Sequence, residues 1–154
     1  MKKSPLQLLR YIVSEASCAA NPTFDLKKAF GTASEQLSVG VKVNQQQSPE
    51  GAPWHSWTVE ITISQKSTEG QNLPYRFEVT LVGFFACRGP LPADVEESRF
   101  VQINGSSMLY GAAREIVRSL TARGPWGVLF LPCISFYEMD SKPKEEAAPV
   151  SKPG

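Results

Sequence analysis

Cysteine and histidine are the side chains most often used for nucleophilic or metal chemistry, and this sequence has few of them. Its cysteines are Cys18, Cys87 and Cys133, and its one histidine is His55. The cysteines are odd in number and widely spaced, with no CxxC pair, so neither a disulfide framework nor a zinc site is expected. A catalytic cysteine needs a base, and His55 lies in the polar, proline-containing string GAPWHSW. We therefore predict free thiols, no metal ion and no cysteine catalysis.

Paired carboxylates are a second possible source of chemistry. Glu96 and Glu97 fall in a predicted connection, and Glu145 and Glu146 fall in a predicted tail, where both pairs are expected to solvate the surface. The chain has no phosphate-binding glycine motif, so no nucleotide cofactor is expected. Sixteen basic and 15 acidic residues give a net charge of +1, which offers no reason to expect nucleic acid or an anionic membrane as a partner. An enzyme is not predicted.

The length of 154 residues suits one domain with a tail. We assign residues 1–139 to the domain. Residues 140–154 are rich in Lys, Glu, Pro, Ser and Ala, so we expect a disordered tail there. Arg10 and Glu15 interrupt the N-terminal apolar stretch and argue against a lipoprotein signal. No stretch approaches the ~20 apolar residues of a membrane-spanning helix. A cytoplasmic location without membrane insertion is the expectation.

Three segments alternate apolar and polar residues with the period of a half-buried strand. They are residues 37–43, 57–64 and 77–81, the last followed by an apolar run to Ala86. The second and third are close in sequence and should pair as an antiparallel hairpin. Residues 6–13 keep neither the helical nor the strand period, and we favour a first strand there over a short helix. Residues 88–97 contain glycine and prolines typical of a surface connection.

A helix is predicted next, because apolar residues between Leu109 and Leu120 recur at spacings near 3.6. Ser106 or Ser107 is expected to cap its start, and Gly124 to take the left-handed conformation at its end, before Pro125. Gly111 inside the helix costs about 1 kcal/mol relative to alanine, which would be compensated by the close approach of another element, such as a neighbouring helix.

The stretch after the helix, residues 126–139, is densely apolar. Large apolar residues are normally buried, so one interpretation of this stretch is core. The functional alternative is an exposed apolar surface that accepts another chain. The sequence leaves both interpretations open.

Several strings in this arrangement resemble the SecB family. The string LYGAARE at residues 109–115 is similar to that family's LFPYARE, and SLTARG at residues 119–124 is similar to its S-hydrophobic-x-x-R-G. The string LFLPCISF at residues 129–136 is similar to L-x-L-x-P-V-N-F, with the proline displaced by one position. Glu78 and Val79, followed by the string GFF at residues 83–85, match the family's E-V-x-x-x-G-hydrophobic-F strand.

The resemblance implies an α+β fold with a four-stranded antiparallel sheet followed by a long helix and a short C-terminal helix. It implies a homotetramer, a dimer of dimers, that acts as an ATP-independent holding chaperone for unfolded polypeptides or preproteins. Residues near the end of the long helix would line the client-binding groove, and residues on the long helix would form the oligomer interface. The groove candidates are Trp126, Leu129, Phe136 and Tyr137. The interface candidates are Leu109, Gly111, Ile116 and Leu120.

In the SecB family, acidic sheet residues dock the translocation motor SecA. Glu78 matches the motor-contacting glutamate by its position in the E-V motif, and Glu15 stands where the family has paired acidic residues. The near-neutral charge and Gly111 in place of a family proline are departures from the pattern. They leave open a SecB-like chaperone dedicated to one partner, such as an antitoxin. A small curved-sheet domain that binds a ligand or a specific partner is the other alternative.

Overall fold

A computed structural model of the chain describes residues 1–28, 37–66 and 70–139. Four strands precede one long helix in these residues. The elements are β1 (Leu6–Ala20), β2 (Leu37–Gln46), β3 (His55–Gln65), β4 (Tyr75–Cys87) and α1 (Glu97–Thr121). The predicted α+β fold is confirmed, including the strand interpretation of its first segment.

The four strands form one antiparallel sheet in the spatial order β1-β4-β3-β2. Strands β3 and β4 are the predicted hairpin, with Val59 opposite Gly83 and Ile63 opposite Val79. Strand β1 pairs along the other side of β4, with register shifts on either side of residues 10–13. Both β1 and β2 are therefore edge strands of the described sheet.

The core lies between one face of the sheet and α1. The strand residues predicted to share a face do so, because Val59, Ile61, Ile63, Val79 and Leu81 are fully buried. The helix covers this inner face with a row of residues spaced by three or four positions. The buried residues of the row are Val101, Gly105, Ser106, Leu109, Tyr110, Ala113, Val117 and Thr121.

The helix starts earlier than its apolar period predicted. It begins at Glu97, so Ser106 and Ser107 lie inside it, and the prediction that one of them caps the start is wrong. The Ser107 hydroxyl donates to the Ile103 carbonyl within the helix. At residue 105 the reason for the glycine is packing: an added Cβ would lie 3.0 Å from Val59 Cγ2.

The predictions for Gly124 and Gly111 also need correction. The helix ends at Thr121, and the left-handed backbone near its end occurs at Gly127, with φ of 82°, rather than at Gly124. A side chain at position 124 has no room, because an added Cβ would overlap the Tyr75 hydroxyl. At Gly111 no described element approaches closely, since a Cβ there would meet nothing within 4 Å.

No further helix occurs between Thr121 and Met139, where the described residues end, and the predicted short C-terminal helix lies outside the described residues. The expected tail, residues 140–154, lies outside the described part of the chain. No helix of the described residues is both long enough and apolar enough to cross a membrane.

Candidate functional site

Residues 122–139, here called the return segment, run back along α1 from its C-terminal end toward its N-terminal end. The direction follows from four hydrogen bonds, in which the helix supplies a side chain each time. They are Leu129 N to Thr121 Oγ1 (2.9 Å), Arg114 Nε to the Leu131 carbonyl (3.2 Å), Tyr110 Oη to the Pro132 carbonyl (2.7 Å) and Arg99 to the Tyr137 carbonyl (2.7 Å). The segment is thus fixed to the helix although it has no regular secondary structure.

The return segment presents apolar residues to solvent as well as to the core. Leu131 and Phe136 are each 2% exposed, whereas Val128 is 41%, Phe130 68% and Tyr137 69% exposed. Adjacent residues of the segment differ in exposure. Phe130 is exposed next to buried Leu131, and Tyr137 is exposed next to buried Phe136. Single exposed apolar residues are ordinary. Val128 and Phe130 lie near the C-terminal end of α1, whereas Tyr137, bonded to Arg99, lies near its N-terminal end, so exposed apolar side chains occur along the whole segment.

The four predicted groove residues have different places in this segment. Phe136 packs edge-on against Tyr110, with ring centroids 5.8 Å apart, and belongs to the core of the subunit. Leu129 is half-buried against the core, and Trp126 is half-buried beside β1. Tyr137 is exposed. Phe130 and Val128 were missed by sequence reasoning, because residues 128–131 are all apolar and their types do not separate exposed from buried positions.

Trp126 joins the return segment to the turn that follows β1. Its indole Nε1 donates to the Asn21 carbonyl at 2.9 Å, and its ring meets Phe24 edge-on with centroids 5.3 Å apart. The Tyr75 hydroxyl donates to the Gly127 carbonyl at 2.7 Å and accepts from the Trp126 amide at 3.1 Å. These contacts give Trp126 a clear structural role.

Strand β2 offers a free edge near the same core. Within the described residues it pairs along one side only, with β3. Its inward residues Leu37, Val39, Val41 and Val43 are half-buried and pack against the core. An unpaired edge presents a row of backbone donors and acceptors that an extended peptide can join as a further strand.

The predicted oligomer residues divide between core and surface. Leu109 is fully buried within the subunit. Ile116 and Leu120 line an open groove of about 450 Å³ between α1 and β1, whose strand side is Tyr11. Leu120 and Tyr11 are 43% and 44% exposed, and Gly111 lies on the uncovered side of the helix. The structure therefore leaves three of the four predicted residues available to a neighbouring chain.

Strand β1 is apolar toward both sides of the sheet. Tyr11 and Val13 stand on the inner face, opposite Gly83 and Leu81, and are 44% and 47% exposed. Ile12 stands on the outer face and is 45% exposed. Strands that are apolar on both faces are normally covered on both sides, which an isolated edge strand cannot achieve.

The two predicted motor-contact residues lie close together. Glu15 and Glu78 line one depression of about 550 Å³, on neighbouring strands of the sheet. The depression is also lined by the cations Lys66 and Arg76, and Lys66 Nζ lies 3.7 Å from Glu78 Oε2. The charge there is mixed, which differs from a uniformly acidic surface.

His55, Trp57 and Cys87 surround the carboxylate of Glu97 at the first residue of α1. Trp57 Nε1 donates to Glu97 Oε1 at 2.7 Å, and His55 Nδ1 lies 2.9 Å from Glu97 Oε2. Burial, and then the charge of Glu97 and a hydrogen bond to it, raise the pKa of Cys87 to about 11. The thiol is therefore protonated at neutral pH, which is the unreactive form. Among the described residues, no group of three or more His, Cys, Asp and Glu could hold a metal ion.

Comparisons with known proteins place the fold. A protein of unknown function from Streptococcus agalactiae matches with a TM-score of 0.58 at 11% identity, covering 83% of this chain and 97% of that one. The Mycobacterium tuberculosis Rv1957 SecB-like chaperone, in complex with a ChAD peptide from the Rv1956 HigA1 antitoxin, matches with a TM-score of 0.48 at 15% identity, covering 84% and 90%. No curated protein sequence matches. The family model described as "Preprotein translocase subunit SecB" matches residues 7–147, and the chain therefore belongs to the SecB family.

Proposed function

We propose that this protein is an ATP-independent holding chaperone that binds unfolded polypeptides through the outward residues of the return segment. The observation that carries the proposal is the exposure of Val128, Phe130 and Tyr137 on a segment whose backbone is hydrogen-bonded to α1. A fixed backbone spares the ordering cost that a loose loop would incur on binding. Membership in the SecB family supports this role.

The client chemistry follows from the same surfaces. An unfolded chain offers apolar side chains and unpaired backbone groups together. The side chains can cover Phe130 and Tyr137, and the free edge of β2 can pair with the backbone of an extended stretch. Neither contact depends on a particular client sequence, so the protein is expected to bind unfolded chains of many sequences.

We further propose that the subunits assemble through β1 and the exposed side of α1, as a dimer of dimers. Pairing of β1 with a second copy would place an edge strand inside a larger sheet and remove its free edge. A helix packed on the groove of Ile116 and Leu120 would cover Tyr11 as well. The absence of a side chain at Gly111 would permit a close approach by a second subunit, which no described element of the subunit itself makes.

The test is a titration of the purified full chain with a permanently unfolded polypeptide, with the mass in solution measured on the same sample. Phe130→Ser should weaken binding about tenfold, because covering that ring is worth about 1.5 kcal/mol. Leu120→Ser is the matched control, an exposed apolar residue on the assembly side. It should reduce the mass and leave the intrinsic affinity of the return segment unchanged.

Two results would contradict the proposal. If the wild-type protein does not bind unfolded chains and binds one partner segment only, the chaperone is dedicated to one partner and is not a general holding chaperone. If Phe130→Ser binds unfolded chains as tightly as the wild type, the return segment is not the client surface.

A further inference from the structure

The outer face of the sheet, which α1 does not cover, carries one apolar cluster beside β1. The strand pairing places Ile12 opposite Val82 and Arg10 opposite Phe84, so these four side chains adjoin on one face. Ile12 is 45% exposed, and Val82 and Phe84 are half-buried. Toward the start of β4 the residues on this outer face are polar, namely Thr80 and Glu78. We call the four residues at positions 10, 12, 82 and 84 the outer patch.

Arg10 contacts the ring of Phe84 in the outer patch. Its guanidinium carbon lies 4.3 Å from the centroid of that ring, which is a cation–π contact. A guanidinium carries five N–H donors and can bond a carboxylate bidentately while it remains over the ring. In the described residues no carboxylate pairs with Arg10.

Two lysines near this face, unlike Arg10, are paired with carboxylates of the subunit. Lys42 Nζ lies 2.9 Å from Glu60 Oε1, and Lys66 Nζ lies 3.7 Å from Glu78 Oε2. Their charges are matched within the subunit. The charge of Arg10 is instead available to a partner, next to apolar side chains that the partner would also cover.

From this geometry we propose that the outer patch docks a partner polypeptide whose segment combines a carboxylate with an apolar side chain. The carboxylate binds Arg10, and the apolar side chain covers Ile12, Val82 and the free part of Phe84. Arg10 and Ile12 are two positions apart in a regular stretch of β1, a distance of about 7 Å. An extended partner segment with the pattern acidic-x-apolar has the same spacing. The proposal is separate from client holding on the return segment and does not depend on it.

The experiment uses the full chain and two short fluorescent peptides, one repeating Glu-Ser-Leu-Ser and one with Lys in place of each Glu. Polarisation should show the acidic peptide binding more tightly by up to about fivefold, the upper range for an exposed charge pair. Arg10→Gln should remove that preference. Lys42→Gln, which removes an already paired cation, should retain it.

The proposal would be overturned by equal binding of the two peptides, by an unchanged preference in Arg10→Gln, or by a reduced mass of Arg10→Gln in solution. The last result would assign the outer patch to contacts between copies of this chain. Phe130→Ser separates the two proposed surfaces, since it should weaken unfolded-chain binding and leave acidic-peptide binding intact. If it abolishes acidic-peptide binding, the peptide occupies the return segment and the outer patch is not the site. Far-UV circular dichroism confirms that each variant is folded.

Discussion

Gly105 and Gly111 allow the packing of α1 to be tested by one chemical change at two positions. Both glycines lie inside the helix, six residues apart, and each can be replaced by alanine. In an exposed helix interior, Gly→Ala stabilises by about 1 kcal/mol because alanine loses less conformational freedom on folding. The propensity term is the same at both sites, so any difference between them reports the surroundings.

The two glycines differ in how closely other atoms approach them. The added methyl at Gly111 would meet no atom within 4 Å, so Gly111→Ala should stabilise the subunit by about 1 kcal/mol. At Gly105 the methyl would lie 3.0 Å from Val59 Cγ2 and 3.4 Å from Phe85 Cζ. Those side chains are 0% and 1% exposed, so they could yield only by displacing other atoms of a closely packed core. Overpacking costs about 1–3 kcal/mol, so Gly105→Ala should be neutral or destabilising by up to about 2 kcal/mol.

Urea denaturation of both variants, followed by circular dichroism at several protein concentrations, measures the difference. Concentration matters because assembly adds its own free energy to the apparent stability. If Gly105→Ala stabilises as much as Gly111→Ala, the close packing of α1 on β3 is refuted. If Gly111→Ala stabilises the subunit but lowers the mass in solution, the open side of the helix is a contact between subunits. An unchanged mass would remove Gly111 from the proposed interface.

Other predictions follow from single contacts. Ser106→Ala should stabilise by about 1 kcal/mol in thermal unfolding, because the Ser106 hydroxyl is buried without a hydrogen-bond partner in the described structure; a loss of stability would reveal an essential partner. Trp126→Phe keeps a ring but loses the hydrogen bond to Asn21, so about 1 kcal/mol of stability should disappear; an unchanged melting temperature would show that this bond contributes nothing. The pKa of Cys87 is raised to about 11 from 9.0, so its contribution to stability is complete below pH 9 and lost as pH rises toward 11. Stability of wild type minus that of Cys87→Ala should therefore fall across that window, and a flat difference would contradict the raised pKa.

The alternation of the strands carried most of what could be predicted about the sheet. The residues of β3 and of the first half of β4 alternate between apolar and polar, so the buried face was correctly predicted, as was the hairpin. The start of α1 was placed about ten residues too late because the string NGSS resembles a turn or a helix cap. Packing overrode that local preference, since Gly105 and Ser106 face the sheet and are buried.

The sequence by itself determined the family, the four-strand-then-helix order and the inward face of each central strand, because these depend on motifs and on a period of two. Only the tertiary structure decided which apolar residues of the return segment are covered. Phe136 and Tyr137 are neighbours of similar size, yet one is 2% and the other 69% exposed. Their difference arises from how the segment is hydrogen-bonded against α1, which no local pattern encodes. The same holds for the helix glycines, where the position of β3 determines that Gly105 is crowded while Gly111 is open.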